Sequence, residues 1–303
     1  MLGCMKQSAY ADQSASFQLF LLLGFLLAGL CLSSLLAGVV VWCCNGSLQV
    51  MYQDPWMMRL TQFISAVGTF LLPALLVAWC CGHSVRAYLS IGPVPRIHAF
   101  VWVFISMLLL IPGINLLDYA NRQLVLPDWM APVESWIQAQ EAQAERLVSL
   151  LFSQEGILPL LSNLLVVALM AGITEEFLFR GCLQQIVRRW TRNPHTVIWI
   201  VAFLFSAIHL QFYGFVPRML LGAYFGYLLY WSRNIWIPVF AHFCNNALVV
   251  LLQSHPDWPI NQYCQPDLTQ GIAIHYIIVA LLLLLPFGWI LRNRLQIGNT
   301  YHK

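Results

Sequence analysis

Long apolar runs, bounded by charged or turn-forming residues, recur along the whole chain. Placed by hydropathy and flanking charge, they predict eight membrane spans, at about 17–42, 61–81, 99–118, 157–187, 196–213, 216–232, 235–253 and 271–291. The fourth is unusually long and ends in Arg188 and Arg189. Residues 119–156 form the longest polar connection, and 133–152 within it read as a surface helix starting after Pro132. No internal repeat or low-complexity linker interrupts the pattern. The expected fold class is therefore all-α, a multi-pass transmembrane helical bundle forming a single membrane domain over residues 1–303.

Composition supports this reading and removes others. Of 303 residues, 60% are hydrophobic and 9% charged, against about 25% charged in soluble domains. A soluble fold could not hide so much apolar surface, and the excess must face lipid. The net charge is +3, with the basic residues in separated short clusters, so no nucleic-acid footprint is present. The nine cysteines include no C-x-x-C pair, which leaves them as small buried hydrophobes. The run from Phe17 to Trp42 is too long for a signal-peptide core and reads as a retained span. Of the twelve tryptophans, Trp42, Trp56, Trp79, Trp190, Trp231 and Trp236 fall at span ends, where interfacial anchoring explains them. Tyr224, Tyr227 and Tyr230 lie among small residues, as in close helix packing.

Charge also orients the bundle. With the N-terminus inside, ten basic residues lie in cytoplasmic segments, while Arg59, Arg122, Arg146 and Arg218 make four outside. The expected arrangement is an integral protein of the cell membrane with both termini cytoplasmic and an acidic outer connection.

Three polar clusters fall inside predicted spans, where charge costs several kcal/mol and persists mainly for a purpose. The first is Glu175-Glu176-Phe177-Leu178-Phe179-Arg180. Arg180 lies four residues after Glu176, on the same helical face, and is expected to pair with it. Glu175 points about 100° away and is left without that partner. The second is Phe205-x-x-x-His209, and the third is His242-x-x-x-Asn246 with Asn245 beside it. Counted at about 1.5 Å per residue, Glu175 lies roughly 20 Å from Arg188 and His209 roughly 21 Å from His195. His242 and Asn246 lie roughly 13 and 20 Å from Arg233. Groups on three helices thus approach one level, which predicts a shared site.

A carboxylate, two imidazoles and a carboxamide around a wet cavity suit amide hydrolysis. Glu175 would take a proton from water, His209 would orient that water or pass the proton on, and His242 with Asn246 would donate to the oxyanion. Glu176 and Arg180 would hold the helix in register. An alternative sets a divalent metal such as zinc on Glu175, His209 and His242, although H-E-x-x-H is lacking.

Glu175-Glu176-Phe177-Leu178-Phe179-Arg180-Gly181, Phe205-x-x-x-His209 and His242-x-x-x-Asn246 resemble, in order and spacing, the three motifs of the CPBP intramembrane proteases. That family includes CAAX prenyl endopeptidases of the Rce1 type and bacterial relatives linked to bacteriocin processing and immunity. The resemblance spans about residues 157–250 as a catalytic core. It implies a helical bundle with a cavity open to cytosol or membrane, Glu175 as the water-activating residue, His209 as its partner, and His242 with Asn246 at the oxyanion. Glu176 and Arg180 match supporting positions. The family is labelled metal-dependent, while its site also resembles a glutamate-type protease without metal, and two carboxylates with an arginine favour the latter.

The expected activity is hydrolysis of a peptide bond in a membrane-associated protein or peptide, of prenylated CAAX or leader type, with membrane lipids as the surroundings. Two rivals come from other classes. A proton-coupled transporter would also carry intramembrane Glu, Arg and His, but no inverted repeat is visible. A non-catalytic scaffold or immunity protein would keep the polar groups for folding.

Overall fold

The computed structural model describes residues 10–124, 126–259, 261, 278, 282 and 287–295. Among these, all regular structure is helical. Among the described residues, eight longer helices organise the fold: α1 (Ala15–Asn45), α2 (Pro55–Cys81), α3 (Ile97–Arg122), α4 (Ala131–Leu151), α5 (Ile157–Arg188), α6 (Pro194–Ala207), α7 (Phe215–Ser232) and α8 (Trp236–Ser254). Five of them, α1, α2, α3, α5 and α8, are long and apolar enough to cross a membrane. The eighth predicted span, 271–291, lies mostly outside the described residues. Its end does not: Leu291 and Leu295 pack with Val103 of α3, Phe225 of α7 and Ala241 of α8.

Local chemistry sets the helix boundaries. Ser14 caps α1 by accepting from Phe17 N, and Gly46 closes it in the left-handed region at φ 68°. Asp54 caps α2 by accepting from Trp56 N at 2.8 Å, with Pro55 in the first turn. Asn193 caps α6 in the same way through His195 N at 2.9 Å, with Pro194 following. The predicted surface helix is α4, which carries Pro132 in its first turn.

Exposed Phe20, Leu23, Leu27 and Leu35 on α1 present an outer surface suited to lipid rather than water. Small residues make the closest approaches inside. A Cβ added to Gly29 of α1 would lie 2.3 Å from the carbonyl oxygen of Gly68 in α2, and Ser33 Oγ bonds Thr69 Oγ1 across the same seam at 3.2 Å. Near that contact α2 widens into a π-helical stretch, Ala66–Leu71, just before Pro73, whose missing N–H breaks the α-helical ladder.

Three expectations need correction. Cys31, Cys43 and Cys44 are exposed on the outer face of α1, while Cys81 and Cys182 are buried as predicted; α1 packs along one side only, and its cysteines lie on the other. Arg59 is not an aqueous loop residue. It is 2% exposed within α2 and donates to Asn163 Oδ1 at 2.7 Å, Gln154 Oε1 at 2.9 Å and Leu151 O at 2.7 Å. It thereby satisfies the end of α4 and fixes the entry to α5. The segment predicted to span from 196 to 213 is shorter than expected: α6 stops at Ala207 after 14 residues, a length of about 21 Å against the ~30 Å of a bilayer core.

The Gly29–Gly68 contact yields a direct test. Gly29→Ala should cost about 1–3 kcal/mol by forcing α1 and α2 apart, read as a lower thermal midpoint in detergent. Gly24→Ala, with nothing within 4 Å of the new methyl, should leave the midpoint unchanged or raise it. Equal midpoints for the two variants would contradict this account of the seam.

Candidate active site

The site grows from α5. Glu175 and Glu176 end an α-helical stretch, and Phe177–Leu183 continue it as π-helix. The pair expected from the four-residue spacing forms: Arg180 Nη1 donates to Glu176 Oε1 at 3.0 Å, with both side chains fully buried. Arg180 Nη2 reaches across to α7 and donates to the Gly222 carbonyl at 2.9 Å. A Cβ at 222 would stand 3.0 Å from Phe205 Cδ1 and 3.3 Å from that same Nη2, so glycine gives the guanidinium its room. Its carbon also lies 4.5 Å from the centre of the Phe205 ring on α6.

Glu176 has a second partner that spacing did not predict. His242 on α8 donates from Nδ1 to Glu176 Oε1 at 2.8 Å. Because the acceptor is a carboxylate, Nδ1 carries the hydrogen and Nε2 is the free nitrogen. The ring is stacked on Phe225 at 5.1 Å and 19°, and edge-on to Phe205 at 5.9 Å. Thus α5, α6, α7 and α8 all bear on one imidazole. Close packing between α5 and α8 permits this, since a Cβ at Gly172 would lie 3.2 Å from Val239 O and 3.3 Å from Phe243 N.

Glu175 stands apart from the Arg180 pair. Its Oε2 is 3.9 Å from His242 Nε2, too long for a direct hydrogen bond, and its side chain is 17% exposed. It opens on a cavity of about 420 Å³ that is also lined by His209, His242, Asn245, Asn246, Arg218 and Asp118. All four residues expected to share the chemistry therefore line one cavity, while Glu176 and Arg180 lie behind its wall.

His209 reaches the cavity from an unexpected place. It lies past the end of α6, in residues 208–214, not on a transmembrane helix. Leu210 takes the left-handed region at φ 53°, which turns the chain back toward α7. Remote residues hold this turn: Asn121 Nδ2 donates to the carbonyls of Phe212 and Tyr213, each at 2.7 Å, and Glu141 of α4 accepts from Tyr213 N at 3.1 Å. His209 Nδ1 donates to the Phe205 carbonyl at 2.8 Å, so its Nε2 is left as an acceptor. Asn246 is partly committed as well, donating from Nδ2 to Val167 O at 3.0 Å and accepting from Asn245 at 3.1 Å. One of its two N–H groups remains.

Arg218 is the residue that sequence reasoning misplaced. Expected among the outer-segment charges, it lies in α7 and lines the cavity. Nη2 donates to Gln211 Oε1 at 2.7 Å, and Nη1 is buried without a partner. The signal was Pro217, which a helix tolerates in its first turn, where it stands in α7 beside Arg218. The metal alternative fares differently. Among the described residues no group of three or more His, Cys, Asp or Glu side chains is placed to hold an ion. Glu175, His209 and His242 do not form such a group.

With this geometry in hand, comparison with known proteins is informative. Residues 157–248 match the family model described as type II CAAX prenyl endopeptidase Rce1-like. Over 90 residues the chain is 26% identical to an uncharacterized protein, YpbD, of Bacillus subtilis (strain 168), a match covering 28% of this chain and 43% of that protein. The chain thus spans less than half the length of the curated relative it matches. No solved structure matches.

The buried ion pair has a measurable signature. Arg180→Met should destabilise the fold by about 3–5 kcal/mol, because Glu176 is left buried without its cation. Adding Glu176→Gln should recover part of that loss in thermal midpoint, since the unpaired charge is gone. A double variant less stable than Arg180→Met alone would contradict the pairing.

Proposed function

From the premise that residues 157–248 are an Rce1-like endopeptidase domain, we propose that this chain is an intramembrane endopeptidase in which Glu175 activates water. The carrying observation is the shared cavity: Glu175, His209, His242 and Asn246 line one space, with His242 braced from behind by Glu176. In this reading the protein is a single membrane domain with its catalytic core in residues 157–250.

The reaction follows from the free atoms. Water sits against Glu175, whose carboxylate takes its proton as general base. His209 Nε2, left as an acceptor by the Phe205 bond, accepts a hydrogen bond from the water's other O–H and aims the lone pair at the scissile carbonyl. The new C–O bond pushes charge onto the carbonyl oxygen. The spare Asn246 N–H donates to that oxygen, with the His242 ring beside it. Collapse breaks the C–N bond, and Glu175 returns its proton to the departing amine. Proton count and charge close over the cycle with no group beyond the protein and water.

Glu176 and Arg180 act as positioning residues. Glu176 fixes the imidazole through Nδ1, and Arg180 supplies its compensating charge while bridging to Gly222. The substrate in this reading is a membrane-associated protein or peptide, of prenylated C-terminal or leader type, reaching the cavity from within the bilayer.

The test separates chemistry from folding. Glu175→Gln and His209→Ala should leave abundance and thermal midpoint near those of the parent. Each should lower cleavage by about 10²–10⁴-fold, the usual yield of a positioned acid or base. A comparison of membrane proteomes with and without Glu175→Gln supplies the substrate. Full cleavage by Glu175→Gln would end the proposal, as would proton-coupled uptake of a solute that this variant abolishes.

A further inference from the structure

A second polar cavity, of about 440 Å³, lies at the opposite end of the α6–α7 hairpin from His209. Three chain ends meet there: the last residue of α5, Arg188, the α5–α6 connection with Arg192, and Arg233 just past α7. The short link between α5 and α6 and the antiparallel return of α7 bring these positions together. Arg233 takes the left-handed region at φ 50°, which ends α7 and leaves its side chain at the cavity. Among the described residues no Asp or Glu lines this space, and none of the three arginines forms an ion pair. The remaining polar lining includes Gln185, which donates to Ser90 Oγ at 3.4 Å, and Tyr230, which is 46% exposed.

Three guanidinium groups around one concavity repel one another unless an anion joins them. Planar N–H forks match phosphate oxygens in pairs, and arginine holds such groups better than lysine does. The location decides the source of the phosphate. The ends of apolar helices mark the membrane boundary, and Trp190, 52% exposed, sits beside Arg188 where indoles favour the headgroup layer. Exposed Trp199, Ile200 and Phe203 continue along α6 toward the bilayer interior, an apolar surface suited to acyl chains. Basic pockets between membrane helices bind phospholipid headgroups on these grounds.

We propose that the cavity between Arg188, Arg192 and Arg233 holds the phosphate of an anionic glycerophospholipid headgroup. This site is separate from the catalytic cavity and does not depend on the protease reading. It ties the α5–α6 link to the end of α7, the hairpin whose far turn carries His209.

The test uses the full chain in neutral detergent, with lipid binding followed by native mass spectrometry. Phosphatidylglycerol, phosphatidylcholine and inorganic phosphate are the probes. The parent should retain phosphatidylglycerol in preference to phosphatidylcholine. Replacing all three arginines by Gln should weaken that binding on the order of a hundredfold, at about a fivefold loss per cation. The corresponding Lys variant should keep most of it. If the triple Gln variant yields no folded protein, Arg192→Gln alone carries the test with its fivefold loss. Unchanged affinity in the Gln variants would overturn the proposal, and so would equal retention of phosphatidylcholine. Competition by millimolar inorganic phosphate without any preference for the lipid would also overturn it, in favour of a soluble phosphate ligand.

Discussion

The buried contact among Glu176, Arg180 and His242 is the constraint on which the rest of the structure depends. One carboxylate oxygen accepts from a guanidinium on its own helix and from an imidazole on α8. The guanidinium in turn reaches the backbone of α7. An unpaired charge in an apolar helix bundle is expensive, so every arrangement that separates these three elements is penalised. The packing of α5, α7 and α8 follows from that penalty as much as from their apolar faces. Phe205 and Phe225 close the arrangement by flanking the imidazole and the guanidinium with aromatic rings.

The same contact separates the two adjacent carboxylates. Glu176 is paired through Oε1 and inaccessible, whereas Glu175 faces the cavity with the free nitrogen of His242 nearby. Two chemically identical side chains thereby acquire different surroundings, one walled in and one open to the cavity. The π-helical stretch after Glu176 accompanies this division, as such widenings often do at functional sites.

The opposite wall of the cavity is held from a distance. Asn121 at the end of α3 and Glu141 on α4 grip the turn that carries His209, while Arg59 fixes the junction of α4 with α5. The acidic connection between α3 and α5 is therefore part of the scaffold around the site and not a slack linker.

The sequence by itself determined the helical membrane architecture, the Glu176–Arg180 pair and the three polar motifs. These are local properties: apolar runs require lipid, and a four-residue spacing on a helix needs no knowledge of its neighbours. Tertiary structure alone decided that α6 ends before His209, because the bonds that make the turn come from Asn121 and Glu141, about 70 to 90 residues away in the chain. It also decided that Glu176 holds His242, that the Asn246 amide is partly spent on Val167, and that Arg59 and Arg218 are interior rather than outer charges. Each of these depends on which helix stands beside which, and in a bundle that is set by packing between segments far apart in sequence.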